Sequence, residues 1–173
     1  MGLKKNIFGI LLLPFCIGFA TSFIDELFSI RTIGNGEIAF LGGLFFYPLV
    51  HYIVIKPRFL STFGHEMTHV LWGIFFRAKV KDLRVKRHSG FVNLSKTNFA
   101  IRLAPYFFPF FTVLAVLSAF VVRQEYLLLV FFAVGFTLSL HLIAAFESLT
   151  IRQPDIYKTG VVFSLPFIFI SNL

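Results

Sequence analysis

A chain of 173 residues that is 57% hydrophobic, 18% aromatic and only 14% charged, with a mean hydropathy of +0.84, lies outside the composition of soluble domains. The length suits one domain over residues 1–173, and the formal charge of +8 has to be explained by where the cations fall. The apolar residues come in blocks near the roughly 20 residues needed to cross a hydrocarbon layer of about 30 Å. The expectation is therefore an all-α integral membrane protein, multi-pass in the cell membrane.

In chain order the blocks predict helices over about 7–24, 38–55, 61–77, 99–122 and 126–149, with a short one over about 160–172. These make about six transmembrane or partly inserted helices. The N-terminus has the basic start and apolar run of a secretory signal, but no small-x-small cleavage site follows, so an uncleaved first helix is expected. Cys16 is the one cysteine, so no intramolecular disulfide can form. The polar stretch 77–98 predicts a small β-hairpin between helices 3 and 4, with strands near 79–86 and 91–95 and Ser89 and Gly90 at the turn. Pro105 and Pro109 should kink the fourth helix, and the last segment is too short to cross the bilayer.

If all six blocks span, Lys4, Lys5, Lys56, Arg58 and Arg123 lie on one side and the other eleven cations on the opposite side. Positive-inside asymmetry then makes the basic 77–98 stretch cytoplasmic, although Lys4 and Lys5 run against that orientation. Contact with anionic headgroups of the lipid bilayer accounts for the net charge, and no nucleic-acid partner is expected.

The chemistry sits in His65-Glu66-Met67-Thr68-His69. Histidines at i and i+4 lie one above the other on a helix and can bind a single metal ion. Glu66 can then reach a water at that ion and act as general base. On a helical wheel Thr62, His65, Glu66, His69 and Gly73 share an arc of about 100°, one polar stripe on an apolar helix. An ionisable group near the bilayer centre costs on the order of 3 kcal/mol, and a bound ion compensates for a cluster of three. One Zn²⁺ is the expected cofactor. The extended soluble metzincin pattern is excluded, because Trp72 and Phe75 stand where it requires glycine and histidine.

Catalytic zinc takes three protein ligands, and the candidates for the third are Glu125, His141, Glu147 and Asp155. Asp155 is favoured. Pro154 breaks the preceding helix, Gly160 permits a further turn, and residues 150–160 could dip into the membrane from the cytoplasmic face. His141, near the middle of its own helix, is the rival ligand or a site-lining residue. His51 and His88 read as surface residues, and the Asn93-Leu94-Ser95 sequon is silent on a cytoplasmic face.

With its HEMTH motif in an apolar helix and an aspartate about 90 residues on, the chain resembles the M50 metalloproteases, the site-2 protease class of intramembrane zinc proteases. More closely, "HSGFVNLSKTNFAIRLAPYFFPFFTVL" and "QPDIYKTGVVFSLPFI" are similar to the small bacterial M50B-like branch without a PDZ domain. The resemblance implies His65, His69 and Asp155 as zinc ligands and Glu66 as catalytic base. A departure is Pro154-Asp155-Ile156, where many members carry Leu-Asp-Gly. The 77–98 hairpin reads either as a plain basic loop or as a strand edge that captures substrate, and the resemblance favours the second.

These readings lead to a zinc-dependent intramembrane endopeptidase that cleaves transmembrane segments of other membrane proteins. The alternatives are a membrane metal-binding or metal-transport protein, and an inactive protease-like adaptor. Glu66 separates them, because transport or structural zinc needs no general base.

Overall fold

The computed structural model describes residues 2–54, 56–87, 89–150 and 153–173. His88 and Arg152 lie outside the described residues. The apolar blocks form α1 (Gly2–Ser29), α2 (Asn35–Leu49, carried on by a π-helical turn to Val54), α3 (Arg58–Phe75), α4 (Phe99–Phe107), α5 (Phe110–Ser118), α6 (Leu127–Thr150), α7 (Pro154–Thr159) and α8 (Val161–Asn172). Between α3 and α4 lies the hairpin of β1 (Val80–Val85) and β2 (Gly90–Leu94). The expected all-α membrane architecture with one small hairpin is what the chain adopts. Among the described residues three helices (α1, α2 with its π turn, and α6) are long and apolar enough to span, and α4 with α5, bent by 65°, adds a fourth if the pair is one span.

That bend corrects the single kinked helix expected over 99–122. Pro109 offers no N–H and forces Phe108 into extended geometry, φ −100° and ψ 106°, so the helix stops and restarts. Pro105 is accommodated inside α4. At the other end of α4, the Asn98 side chain accepts a hydrogen bond from the Ile101 amide at 2.8 Å and starts the helix cleanly.

Two parallel helix pairs frame the molecule. In the first, Gly43 of α2 lies on the Phe132 carbonyl of α6, and Gly135 of α6 lies on the Phe40 carbonyl of α2. Either Cβ would overlap backbone, so the two glycines permit the close approach typical of membrane helix pairs. In the second pair, Gly9 of α1 lies on the Val162 carbonyl of α8, and Lys5 Nζ donates to the Thr159 carbonyl at 3.1 Å. The remaining apolar surface of α1 is exposed, as a lipid-facing helix requires.

These contacts bear on the arrangement in which all six blocks span. The start of α2 lies beside the start of α6, with Gly36 against Phe131, while their far ends meet where Lys56 and His51 bind Glu147. Lys5 on Thr159 brings the N-terminus to that same far end, and Arg102 on the Lys158 carbonyl at 3.4 Å brings the start of α4 there too. The chain therefore leaves α2 and enters α4 at the same end of the bundle, an arrangement in which α3 would not cross. The partition of five cations against eleven assumed that α3 spans. Among the described residues only Arg31 and Arg123 lie at the opposite end.

Between α4, α7 and α8, a buried cluster of Leu103, Tyr106, Ile156, Phe163 and Ile168 forms the core. It ties the start of α7 to α4. The hairpin runs alongside α3: Leu94 packs on Gly73 and Gly90 on Glu66, two helix turns apart on one face. Gly90 belongs to β2, opposite Val85, and not to the turn.

Candidate metal centre

On α3, His65 and His69 stack edge to face with ring centroids 4.9 Å apart. The orientation of His69 originates in α4. Pro105 has no N–H to bond the carbonyl four residues back, which leaves the Ile101 oxygen free of its helical partner. His69 Nδ1 donates to that oxygen at 2.9 Å. Its Nε2 then faces α7, 3.4 Å from Asp155 Oδ2, while His65 Nε2 lies 3.8 Å from the same atom.

Asp155 reaches this point because α7 starts there. Pro154 supplies the preset φ of a first helical position, and Gly160, at φ +107°, ends the six-residue helix in a conformation only glycine takes readily. The expected dipping segment is thus a short helix. Burial raises the tendency of Asp155 to hold a proton, but the adjacent imidazoles of His65 and His69 outweigh it and hold the carboxyl below the usual carboxylate range. A ligand carboxylate must be ionised in this way.

The ligand atoms of His65, His69 and Asp155 all lie within 4.8 Å of one another. A tetrahedral ion with bonds of about 2.0–2.2 Å needs ligand atoms roughly 3.3–3.6 Å apart, close to the spacings to Asp155. Two imidazoles and one carboxylate are also a donor set suited to zinc. The residues fit the ion.

Glu66 is 7% exposed and borders a cavity of about 380 Å³ that is also lined by His65, Gly90, Pro105, His141 and Gln153. Its carboxylate occupies the space a Cβ on Gly90 would fill. A Cβ there would displace the Glu66 side chain, so glycine lets the hairpin backbone close over the acid.

The rival ligands are elsewhere. Asn172 Nδ2 donates to the Tyr106 and Ile168 carbonyls, both at 2.8 Å, so its Oδ1 must face His141. That oxygen accepts from His141 Nε2 at 3.2 Å, which occupies the nitrogen and keeps His141 as cavity lining. Glu125 pairs with Arg123 at the end of the bundle opposite Glu147, which itself holds Lys56 and His51. His51 is not the surface residue its helix-end position predicted. It is 4% exposed because the π turn continues α2 against α6, where the Tyr47 hydroxyl and Glu147 enclose it.

Reading the sequence missed Tyr106, Asn172 and the Ile101 carbonyl. The last was findable, since a proline inside a helix always frees the carbonyl four residues before it. Tyr106 is fully buried against the His65 ring, with centroids 5.5 Å apart, and nothing in the spacing of an apolar run distinguishes it.

No curated protein and no solved structure matches the chain. The Peptidase M50B-like family model matches residues 38–166, which takes in α3, the hairpin, the broken helix, α6 and Asp155. Most of the chain falls inside that match, and the protein belongs to the Peptidase M50B-like family.

Proposed function

We propose that the protein is a zinc-dependent intramembrane endopeptidase whose substrates are transmembrane segments of other membrane proteins. The observation that carries this reading is the convergence of His65, His69 and Asp155 within 4.8 Å, with Glu66 beside them on a cavity wall. His65, His69 and Asp155 would hold the zinc. When bound, the ion supplies Lewis acidity, polarising a peptide carbonyl and lowering the pKa of water toward neutrality.

Glu66 accepts the proton of the attacking water as its oxygen adds to the carbonyl carbon. It returns that proton to the amine as the C–N bond breaks. Burial of Glu66 beneath Gly90 keeps the carboxylate in one position and away from bulk water. The exposed strand edge beside it would take an unwound substrate segment as an added strand. This matters because the amides and carbonyls of an intact helix are engaged in its own hydrogen bonds. The hairpin belongs to the basic face, which we assign to the cytoplasm.

Purified protein should cleave a transmembrane reporter, and Glu66→Gln should abolish cleavage while retaining zinc. In the same preparations Asp155→Ala should lose zinc and His141→Ala should keep it. Undiminished cleavage by Glu66→Gln overturns the mechanism and favours metal binding without hydrolysis. Zinc retained in Asp155→Ala but lost in His141→Ala overturns the ligand assignment.

A further inference from the structure

Tyr106 is the one large polar side chain beside the metal centre with no hydrogen-bond partner: its hydroxyl is fully buried and unsatisfied among the described residues. A buried hydroxyl left unpaired is costly, so a position that keeps one needs a reason. Its surroundings supply one. The ring stands edge-on to the His65 imidazole and packs in the same cluster as Ile156, the residue next to Asp155. The phenol also lies within electrostatic reach of the carboxylates of Asp155 first and Glu66 second. The side chain is thus wedged between α3 and the first turn of α7, the two elements that supply all three ligands.

The hydroxyl has no access to the cavity, so it cannot touch a substrate there. Asp155 turns Oδ2 toward both histidines, and a carboxylate bound to metal through one oxygen is ordinarily held in place by a donor to the other. We infer that Tyr106 is a positioning residue for the metal: its O–H donates to the Asp155 carboxylate when that group turns to bind zinc. Tyr106 is also fixed from behind, because its own carbonyl accepts from Asn172 Nδ2 at 2.8 Å. This inference rests on the ligand assignment proposed above.

The test is a zinc titration of the full chain in detergent, with a chelator in competition and no substrate present. Tyr106→Phe keeps the ring and its packing and removes only the donor. The expected result is a zinc dissociation constant raised 10- to 100-fold, the usual effect of losing an outer partner. The melting temperature of the zinc-free protein should be unchanged or higher, since an unsatisfied hydroxyl has been removed. With Co²⁺ as the probe, the visible absorption bands of the variant should shift as the carboxylate reorients.

Unchanged affinity and spectrum overturn the inference, as does a loss of zinc-free stability with affinity intact, which marks a packing role. If Tyr106→Phe does not fold, 3-fluorotyrosine at 106 keeps the shape and strengthens the donor. Zinc binding should then tighten, and unchanged binding overturns the inference. Wild-type protein that holds no zinc defeats the metal assignment itself, whereas wild-type binding with an unaltered variant defeats only the role of Tyr106.

Discussion

Pro105 sets two effects against each other. A proline inside a helix costs about 3 kcal/mol through a missing hydrogen bond and a ring clash, yet here the freed Ile101 carbonyl is the acceptor that orients His69. Pro105→Ala restores the amide donor and gives the Ile101 oxygen a competing partner. The variant should therefore be more thermostable than wild type while binding zinc about tenfold more weakly, the lower end of the effect of disturbing a ligand's outer partner. Calorimetry and chelator competition on the same sample check both signs. A variant that gains stability with no loss of zinc affinity would show that the freed carbonyl is incidental. At this scale the sequence is legible where chemistry is local. His65, Glu66 and His69 follow from helical spacing, but the Tyr106 hydroxyl and the Asn172 amide acquire meaning only through contacts 41 and 31 residues away, which no local pattern encodes.

Among the elements, α2 and α6 matter for the site because α6 carries the cavity wall that includes His141, Ala144 and Ala145. Their contact depends on Gly43 and Gly135, where any side chain would meet the opposing backbone. Gly135→Val should force the helices apart and cost about 1–3 kcal/mol, the range for overpacking, with a lower melting temperature in detergent. Gly18→Ala, on α1 with nothing within 4 Å, is the matched control and should be neutral or slightly stabilising. Equal behaviour of the two variants would mean that the α2–α6 approach is not tight in the membrane. The helices were readable as apolar blocks, and the hairpin as alternating residues around Ser89 and Gly90. The break at Pro109 was readable only as a kink, since the sequence shows where a helix can fail but not whether its neighbours restore the lost bonds.

For the whole molecule, length and hydropathy made α3 look like a span, because 17 residues of mostly apolar character are nearly enough. What decides the matter is where the chain goes next. It returns along α3 as the hairpin and begins α4 on the face it left, which puts α3 and both strands on the side of Lys5 and Lys158. Among the described residues that leaves Arg31 and Arg123 on one face and every other Lys and Arg on the opposite one, a far sharper asymmetry than six spans produce. Lys4 and Lys5, awkward under six spans, now agree with the rest. On the orientation proposed above, positive-inside asymmetry is expected to put the N-terminus, the hairpin and α7 on the cytoplasmic side. In a Cys16→Ser background, single cysteines at Lys4, Arg31, Lys96 and Arg123 report the orientation through a membrane-impermeant maleimide applied to intact cells. Arg31→Cys and Arg123→Cys should label at once, and Lys4→Cys and Lys96→Cys only after permeabilisation. The six-span alternative places Lys4 and Lys96 on opposite faces, so labelling that separates those two positions would restore α3 as a membrane crossing.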